Sequence, residues 1–182
     1  MLSTMQEVPF SVARILEFGT TAHANTTCTT WRASGAEETT FGEIGARATA
    51  FANALHDDLG IDGDQRVSTL LYNCAEHIEV MFAVAAKGAV FNPLNVQLMA
   101  DQIAYVVNHA ECEVIVADPR LAEKLGAILQ LCPNVRAVAF TGIAPLDDAA
   151  SHLPPSVEVY SYEQLLDGRP TTYPWPELPE NT

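Results

Sequence analysis

The chain has 182 residues, which allows one domain and little more. Hydrophobic residues make up 48% of it, a fraction that suits a globular fold with a core. The formal net charge is −14, with only nine lysines and arginines. This composition argues against nucleic acid or anionic lipid as a partner.

Targeting and membrane signals are absent from the sequence pattern. Met1–Phe10 lacks the basic stretch followed by an apolar core that marks a secretory leader, so we expect none. The longest apolar run, Val80–Ala86, is far shorter than the roughly 20 residues that a membrane-spanning helix needs. The four cysteines have no metal-finger spacing, which favours reduced thiols in a cytosolic protein. We therefore expect a cytoplasmic location.

The N-terminal part predicts a helix followed by a β-hairpin. Apolar residues at helical spacing predict a short helix over Phe10–Phe18. The threonine-rich segment Asn25–Arg32 is typical of a strand, and Glu37–Thr39 returns after a turn as the second arm of a hairpin. The sequence Thr40-Phe41-Gly42-Glu43 fits a capping box and therefore predicts the start of a long helix.

The segment Gly63–Leu98 predicts a buried βαβ unit. Arg66–Tyr72 is an apolar and β-branched run that suits a buried strand. Asn73 is placed to cap the next helix, with Glu76 three residues on in capping-box position. That helix is apolar on most sides and ends at Gly88, so we expect it to be buried on more than one face.

Strands and helices continue to alternate after this unit. Glu113–Ala117 and Val135–Phe140 predict two further buried strands, and Val157–Tyr160 predicts a short last one. The alternation predicts an α/β fold, a doubly wound and mainly parallel sheet with helices on both faces, preceded by an N-terminal β-hairpin. We assign residues 1–168 to this α/β subdomain. Residues 169–182 contain four prolines and predict an extended connector towards a further subdomain.

The residues by themselves predict no catalytic, cofactor-binding or metal-binding residue. Neither glycine-rich phosphate-loop pattern occurs. His109 and Cys112 come near ligand spacing, but a metal site needs three or four converging ligands. Asn95 lies at a strand end, where open α/β sheets bind ligands, although turn formation is the favoured interpretation. Neighbouring acids at turns and helix ends favour solvated surface. These pairs are Glu37-Glu38, Asp57-Asp58 and Asp147-Asp148.

Several short motifs occur together over most of the chain, from about Thr40 onward. They are Thr40-Phe41 with Glu43-Ile44, Gly63-Asp64 with Arg66-Val67, Asn73 with Glu76, Gly88-Ala89-Val90, and Pro93-Leu94-Asn95. With these motifs the chain resembles the N-terminal part of an acyl-CoA synthetase of the adenylate-forming, AMP-binding superfamily, in particular the fatty acid–CoA ligases. It departs from that pattern at Gln65, an inserted residue, and at Gln97, where an arginine is usual.

The resemblance implies a two-step reaction for a full-length enzyme. ATP activates a fatty acid or another small carboxylic acid to an acyl-adenylate, and CoA then accepts the acyl group. The implied cofactors are ATP, Mg²⁺ and CoA. The phosphate loop, the catalytic lysine and the adenine pocket would lie beyond Thr182. We therefore expect this chain alone to be inactive, and to supply scaffold and a wall of the acyl tunnel. The resemblance leaves a homodimer open.

Two other classes of protein stay open. A stand-alone α/β protein-interaction domain fits the acidic composition, although the proline-rich end weighs against it. A nucleotide-sensing α/β module is disfavoured because no glycine-rich loop is present.

Overall fold

The computed structural model describes residues 10–142 and 146–178, with a two-stranded hairpin and a five-stranded sheet. A single-turn 3-10 helix covers Pro119–Leu121. The helices in chain order are α1 (Val12–Ala22), α2 (Phe41–Asp57), α3 (Ala75–Lys87), α4 (Ala100–His109), α5 (Ala122–Leu129), α6 (Leu146–Ser151) and α7 (Tyr162–Leu166). The strands are β1 (Thr27–Arg32), β2 (Gly35–Thr40), β3 (Arg66–Leu70), β4 (Val90–Pro93), β5 (Val114–Ala117), β6 (Ala137–Phe140) and β7 (Glu158–Ser161).

The five strands of the sheet are all parallel, in the order β4-β3-β5-β6-β7. The register is fixed by pairs such as Val67 with Val114 and Val114 with Ala137. The three predicted buried strands therefore belong to one parallel sheet, and this prediction is confirmed. Each is shorter than predicted because the pairing stops where the chain leaves the sheet; β3, for example, ends at Leu70 rather than Tyr72.

Alternate residues of the strands point to two separate apolar clusters. Val114 and Val116 pack towards α1, α2, α3 and α7, whereas Ile115 and Phe140 pack towards α4, α5 and α6. Both faces of the sheet are buried, which is why the strand sequences show no polar alternation. Full burial of a side chain such as Phe140 contributes about 1.5–3 kcal/mol. The predicted doubly wound α/β fold, with helices on both faces, is confirmed.

The hairpin and the cap that follows it also match the sequence. β1 and β2 pair antiparallel from Thr27 with Thr40 to Arg32 with Gly35. The Glu43 amide donates to Thr40 Oγ1 at 3.2 Å, and the Thr40 amide donates to the Glu43 carboxylate at 2.8 Å. The predicted capping box at the start of α2 is therefore confirmed.

The predicted cap of α3 is wrong. The helix begins at Ala75 with Cys74 as N-cap residue, and no side chain of that N-cap closes the first turn. Thr30 of the hairpin takes over this function, because its Oγ1 accepts from the Ala75 amide at 3.0 Å. Glu76 closes no capping box, since one oxygen of its carboxylate accepts from Arg32 at 2.7 Å and the other oxygen has no hydrogen-bond partner. A residue 45 positions away in the sequence thus caps the helix.

Candidate functional site

The carboxyl ends of β3 and β4 border an apolar cavity of about 470 Å³. Its walls come from β1, the start of α3 and the end of the sheet. They include Cys28, His77, Ile78, Met81, Phe91 and Pro93. This edge is where open parallel α/β sheets bind ligands. The apolar lining suits a hydrocarbon group rather than a phosphate.

The polar groups in this cavity are neutral. Burial lowers the pKa of His77 below its ordinary value, so the imidazole is uncharged at neutral pH. Its Nε2 lies 2.9 Å from Thr69 Oγ1, which holds the ring in place. Burial raises the pKa of the Cys74 thiol to about 12, so this residue stays protonated and is a poor nucleophile. No residue lining the cavity in the described part of the chain carries a formal charge at neutral pH.

The opposite side of α3 faces a cleft of about 600 Å³ with a very different lining. Six glutamates and two arginines surround it, with Gly142 at its rim. We call it the acidic cleft. The charged residues are Arg32, Glu37, Glu38, Glu43, Arg47, Glu76, Glu79 and Glu163.

An ion network centred on the buried carboxylate of Glu79 lines the acidic cleft. Arg47 Nε donates to Glu79 at 2.8 Å, and its two terminal nitrogens donate to Glu163 at 2.7 and 3.0 Å. The Tyr162 hydroxyl donates to the second oxygen of Glu79 at 2.9 Å. The Glu79 side chain is 1% exposed, and burial raises the pKa of this carboxyl despite its contact with Arg47. Because each nitrogen of Arg47 donates to a carboxylate, we interpret the network as structural.

This lining does not suit Mg-ATP. An excess of carboxylates repels a polyanion. Within the described residues, moreover, no group of three or more histidines, cysteines, aspartates or glutamates is arranged to hold a metal ion. Arg32 is also engaged, with Glu76 and Glu37. The carboxylates around the acidic cleft therefore disfavour a nucleotide triphosphate at this place.

The residues considered in the sequence fall into separate places. Asn95 Oδ1 accepts from the Gln97 amide at 2.9 Å, so the turn interpretation is confirmed. His109 stacks on Tyr105 with ring centroids 5.7 Å apart, whereas Cys112 is buried against Ser68. Their contacts give no sign of a shared ligand.

Two of the three acidic pairs are not simply solvated. Asp57 and Asp58 both bind Arg169, and Glu37 binds Arg32. These partners lie far away in the sequence or across a hairpin, so spacing alone did not identify them. Asp147 and Asp148 are exposed in the first turn of α6, as predicted.

Among residues 10–142 and 146–178, no helix combines the length and the apolar character that crossing a bilayer requires.

Solved structures that share this architecture include two CoA ligases. The anthranilate CoA ligase AuaEII, in complex with anthranoyl-AMP, superimposes with a TM-score of 0.78 and 20% identity over 97% of this chain and 32% of its own. A benzoate CoA ligase from Burkholderia xenovorans LB400 superimposes with a TM-score of 0.69 and 20% identity. This match covers 88% of this chain and 29% of the benzoate CoA ligase chain. At this level of identity the likeness defines the fold.

The sequence defines the family. The profile of the family described as "AMP-binding enzyme" matches residues 17–173, and the chain belongs to this family. The resemblance seen in the short motifs is thereby confirmed.

Several curated relatives are acyl-CoA ligases. A 3-methylmercaptopropionyl-CoA ligase from Ruegeria lacuscaerulensis is 28% identical over 100% of this chain and 33% of its own length. A medium-chain-fatty-acid–CoA ligase from Ectopseudomonas oleovorans is 33% identical over 76% of this chain and 24% of its own. A long-chain-fatty-acid–CoA ligase from Thermus thermophilus is 40% identical over 50% of this chain and 16% of its own length. The chain spans at most about a third of the length of these relatives.

Proposed function

We propose that the chain is the N-terminal part of a fatty acid–CoA ligase. In this proposal the longer protein activates a carboxylic acid in two steps. The carboxylate attacks the α-phosphorus of ATP and releases pyrophosphate, which leaves an acyl-adenylate. The thiolate of CoA then attacks the acyl carbon and releases AMP, which leaves the thioester.

The apolar cavity is the observation that supports a fatty substrate. It is open at the sheet edge where ligands of such folds bind, and its walls are apolar or neutral. Relatives named for medium-chain and long-chain fatty acids agree with this choice. Other relatives act on smaller acids by name, so the chain length of the acid is the part of the proposal that needs a direct test.

The residues present in this chain act as scaffold. Adenylation depends on positioning and on cations or amides aimed at the α-phosphate. The two lysines are committed elsewhere, since Lys87 donates to Tyr173 and Lys124 donates to the carbonyls of Val96 and Leu98. We therefore propose that residues 1–182 alone neither bind ATP nor form an adenylate. ATP, Mg²⁺ and CoA would bind to the longer protein, in the cytoplasm.

A pyrophosphate-release assay on the longer gene product tests the proposal. It would use Mg-ATP and a series of straight-chain acids of increasing length, with benzoate and 3-methylmercaptopropionate for comparison. We expect acid-dependent release that is fastest with a fatty acid and that requires CoA for turnover. Release of pyrophosphate with only benzoate or 3-methylmercaptopropionate would overturn the proposal of a fatty-acid substrate. Absence of release with every acid would favour the interaction-domain alternative.

A further inference from the structure

The segment that follows α7 is fixed to the domain although it has no regular secondary structure. We call Arg169–Leu178 the connector. Its first residue, Arg169, donates to Asp57 through Nη1 at 2.7 Å and also binds Asp58 through Nη2. A third nitrogen, Nε, donates to the Leu165 carbonyl at 2.7 Å. The Arg169 side chain is 19% exposed, so these ion pairs are partly shielded from water.

Asn53 holds the backbone of the connector just after Arg169. Asn53 lies on α2, and its Nδ2 donates to the carbonyls of Pro170 and Thr172 at 3.1 and 3.2 Å. A proline-rich segment has few amides for pairing with a sheet, so side-chain donors are the available means of holding it.

Lys87 makes the most buried attachment. Its side chain is 3% exposed at the end of α3. The ammonium donates to the Tyr173 hydroxyl, lies 4.7 Å from the centre of the Tyr173 ring, and is 3.5 Å from Asp62. A buried ammonium is costly without such partners. Tyr173 supplies both an oxygen and an aromatic face.

The end of the connector packs on the same helices. Trp175 lies against Tyr173, with ring centroids 4.9 Å apart, and both rings pack on the apolar cluster below α2 and α3. Gly88, which ends α3 with φ of +94°, leaves room for Leu178, since a Cβ there would be 3.1 Å from its Cδ2. Attachments at Arg169, Pro170, Tyr173 and Leu178 thus follow one another along the connector.

We propose that these attachments form a clamp that fixes the direction in which the chain leaves the domain. Resting on the proposed function, the clamp would position the phosphate-binding segment expected after Thr182 relative to the sheet. Lys87, Asn53 and Arg169 are then positioning residues and contact no substrate. A free proline-rich linker would leave that segment mobile, and misplacement by about 1 Å can cost a hundredfold in rate.

Trp175 provides a direct measurement of the clamp. The chain has two tryptophans, and Trp31 is 80% exposed, so Trp31→Phe leaves Trp175 as a single reporter at little structural cost. In that background we compare Lys87→Met and Arg169→Gln with Lys124→Met, which removes the other lysine from the far face of the sheet. We expect acrylamide quenching of Trp175 to rise at least about twofold in the first two variants only, with unchanged far-ultraviolet circular dichroism. Equal quenching in all three variants would overturn the clamp.

The positioning role is tested in the longer gene product. Lys87→Met and Arg169→Gln should lower kcat for acid-dependent pyrophosphate release by about tenfold or more, with KM for the acid unchanged, because alignment rather than acid binding is lost. Lys124→Met should keep the original kcat. A loosened Trp175 with an unchanged kcat would refute the positioning role alone. A wild-type product that releases no pyrophosphate would refute the proposed function, and the fluorescence result would still decide the clamp.

Discussion

The two faces of α3 line two cavities that differ completely in charge. Cys74, His77, Ile78 and Met81, at helical spacing, face the apolar cavity, and its lining among the described residues carries no formal charge. On the other face Glu76 and Glu79 line the acidic cleft with its eight charged groups. Helix α3, whose sequence is apolar on most sides, therefore separates the apolar cavity from the acidic cleft. The difference teaches that the acids of α3 are held by partners outside the helix.

Removing Arg47, one of the two arginines of the acidic cleft, should have the largest effect. Arg47→Met leaves Glu79 buried without its ion pair, and we expect a loss of about 3 kcal/mol in the free energy of unfolding. Arg14→Met, on an exposed arginine of α1, is the matched control and should change stability by less than about 0.5 kcal/mol. Urea denaturation measures both. Similar losses in the two variants would contradict a buried network.

A charge placed in the apolar cavity should abolish its preference for hydrocarbon. Ile78→Asp should weaken binding of the neutral dye Nile red by about tenfold, because the carboxylate keeps its water. Ile15→Asp, on the half-exposed surface of α1, should leave dye binding unchanged. Fluorescence titration compares them. If Ile15→Asp weakened binding as much as Ile78→Asp, the dye would be binding somewhere other than this cavity.

The cap of α2 is a smaller and purely local contribution. Thr40→Ala removes the oxygen that accepts from the Glu43 amide and should lower the free energy of unfolding by about 1 kcal/mol. Thr40→Ser keeps the oxygen and should restore most of the loss in a thermal melt. A folded Thr40→Ala longer protein that no longer forms an adenylate would show a role in chemistry that we do not assign to Thr40.

The two faces of α3 should also respond to pH in opposite directions, which is the smallest effect we expect. The folded pKa of His77 is lowered, so its contribution to stability is present above the unfolded value of 6.5 and is lost as pH falls below it. The folded pKa of Glu79 is raised, so its contribution is present below the unfolded value of 4.5 and is lost as pH rises above it.

Urea denaturation at several pH values gives the free energy of unfolding of the wild type and of the variants His77→Phe and Glu79→Gln. The wild-type value minus the His77→Phe value should rise from pH 5.5 to 7.5. The wild-type value minus the Glu79→Gln value should fall from pH 4 to 6. Two differences with the same sign would contradict the distinct burial of the two groups.

The sequence predicts what depends on neighbours in the chain. The apolar runs at β3, β5 and β6 predict a parallel sheet because burial on both faces removes alternation. The Thr40–Glu43 box is predicted because its two hydrogen bonds span three residues. The apolar cavity is not predicted from the residues, since its lining combines β1 with α3 and β4.

What the sequence does not predict depends on distant partners. Asn73 has the right spacing for a cap, yet the amide of Ala75 at the start of α3 donates to Thr30 on the hairpin instead. Arg47 and Glu163 are 116 residues apart, and Arg169 meets Asp57 across 112 residues. Nothing in local spacing selects such pairs. The connector is predicted as extended, but its attachment to α2 and α3 follows only from the folded arrangement.

Calorimetric titration of residues 1–182 with Mg-ATP tests the central claim most directly. In the proposed function this chain is scaffold, with an acidic cleft and two committed lysines. We therefore expect no saturable heat at millimolar nucleotide, with or without a fatty acid, whereas the longer gene product should bind Mg-ATP under the same conditions. Saturable binding of Mg-ATP by residues 1–182 would contradict the scaffold role and would place a phosphate site inside this chain.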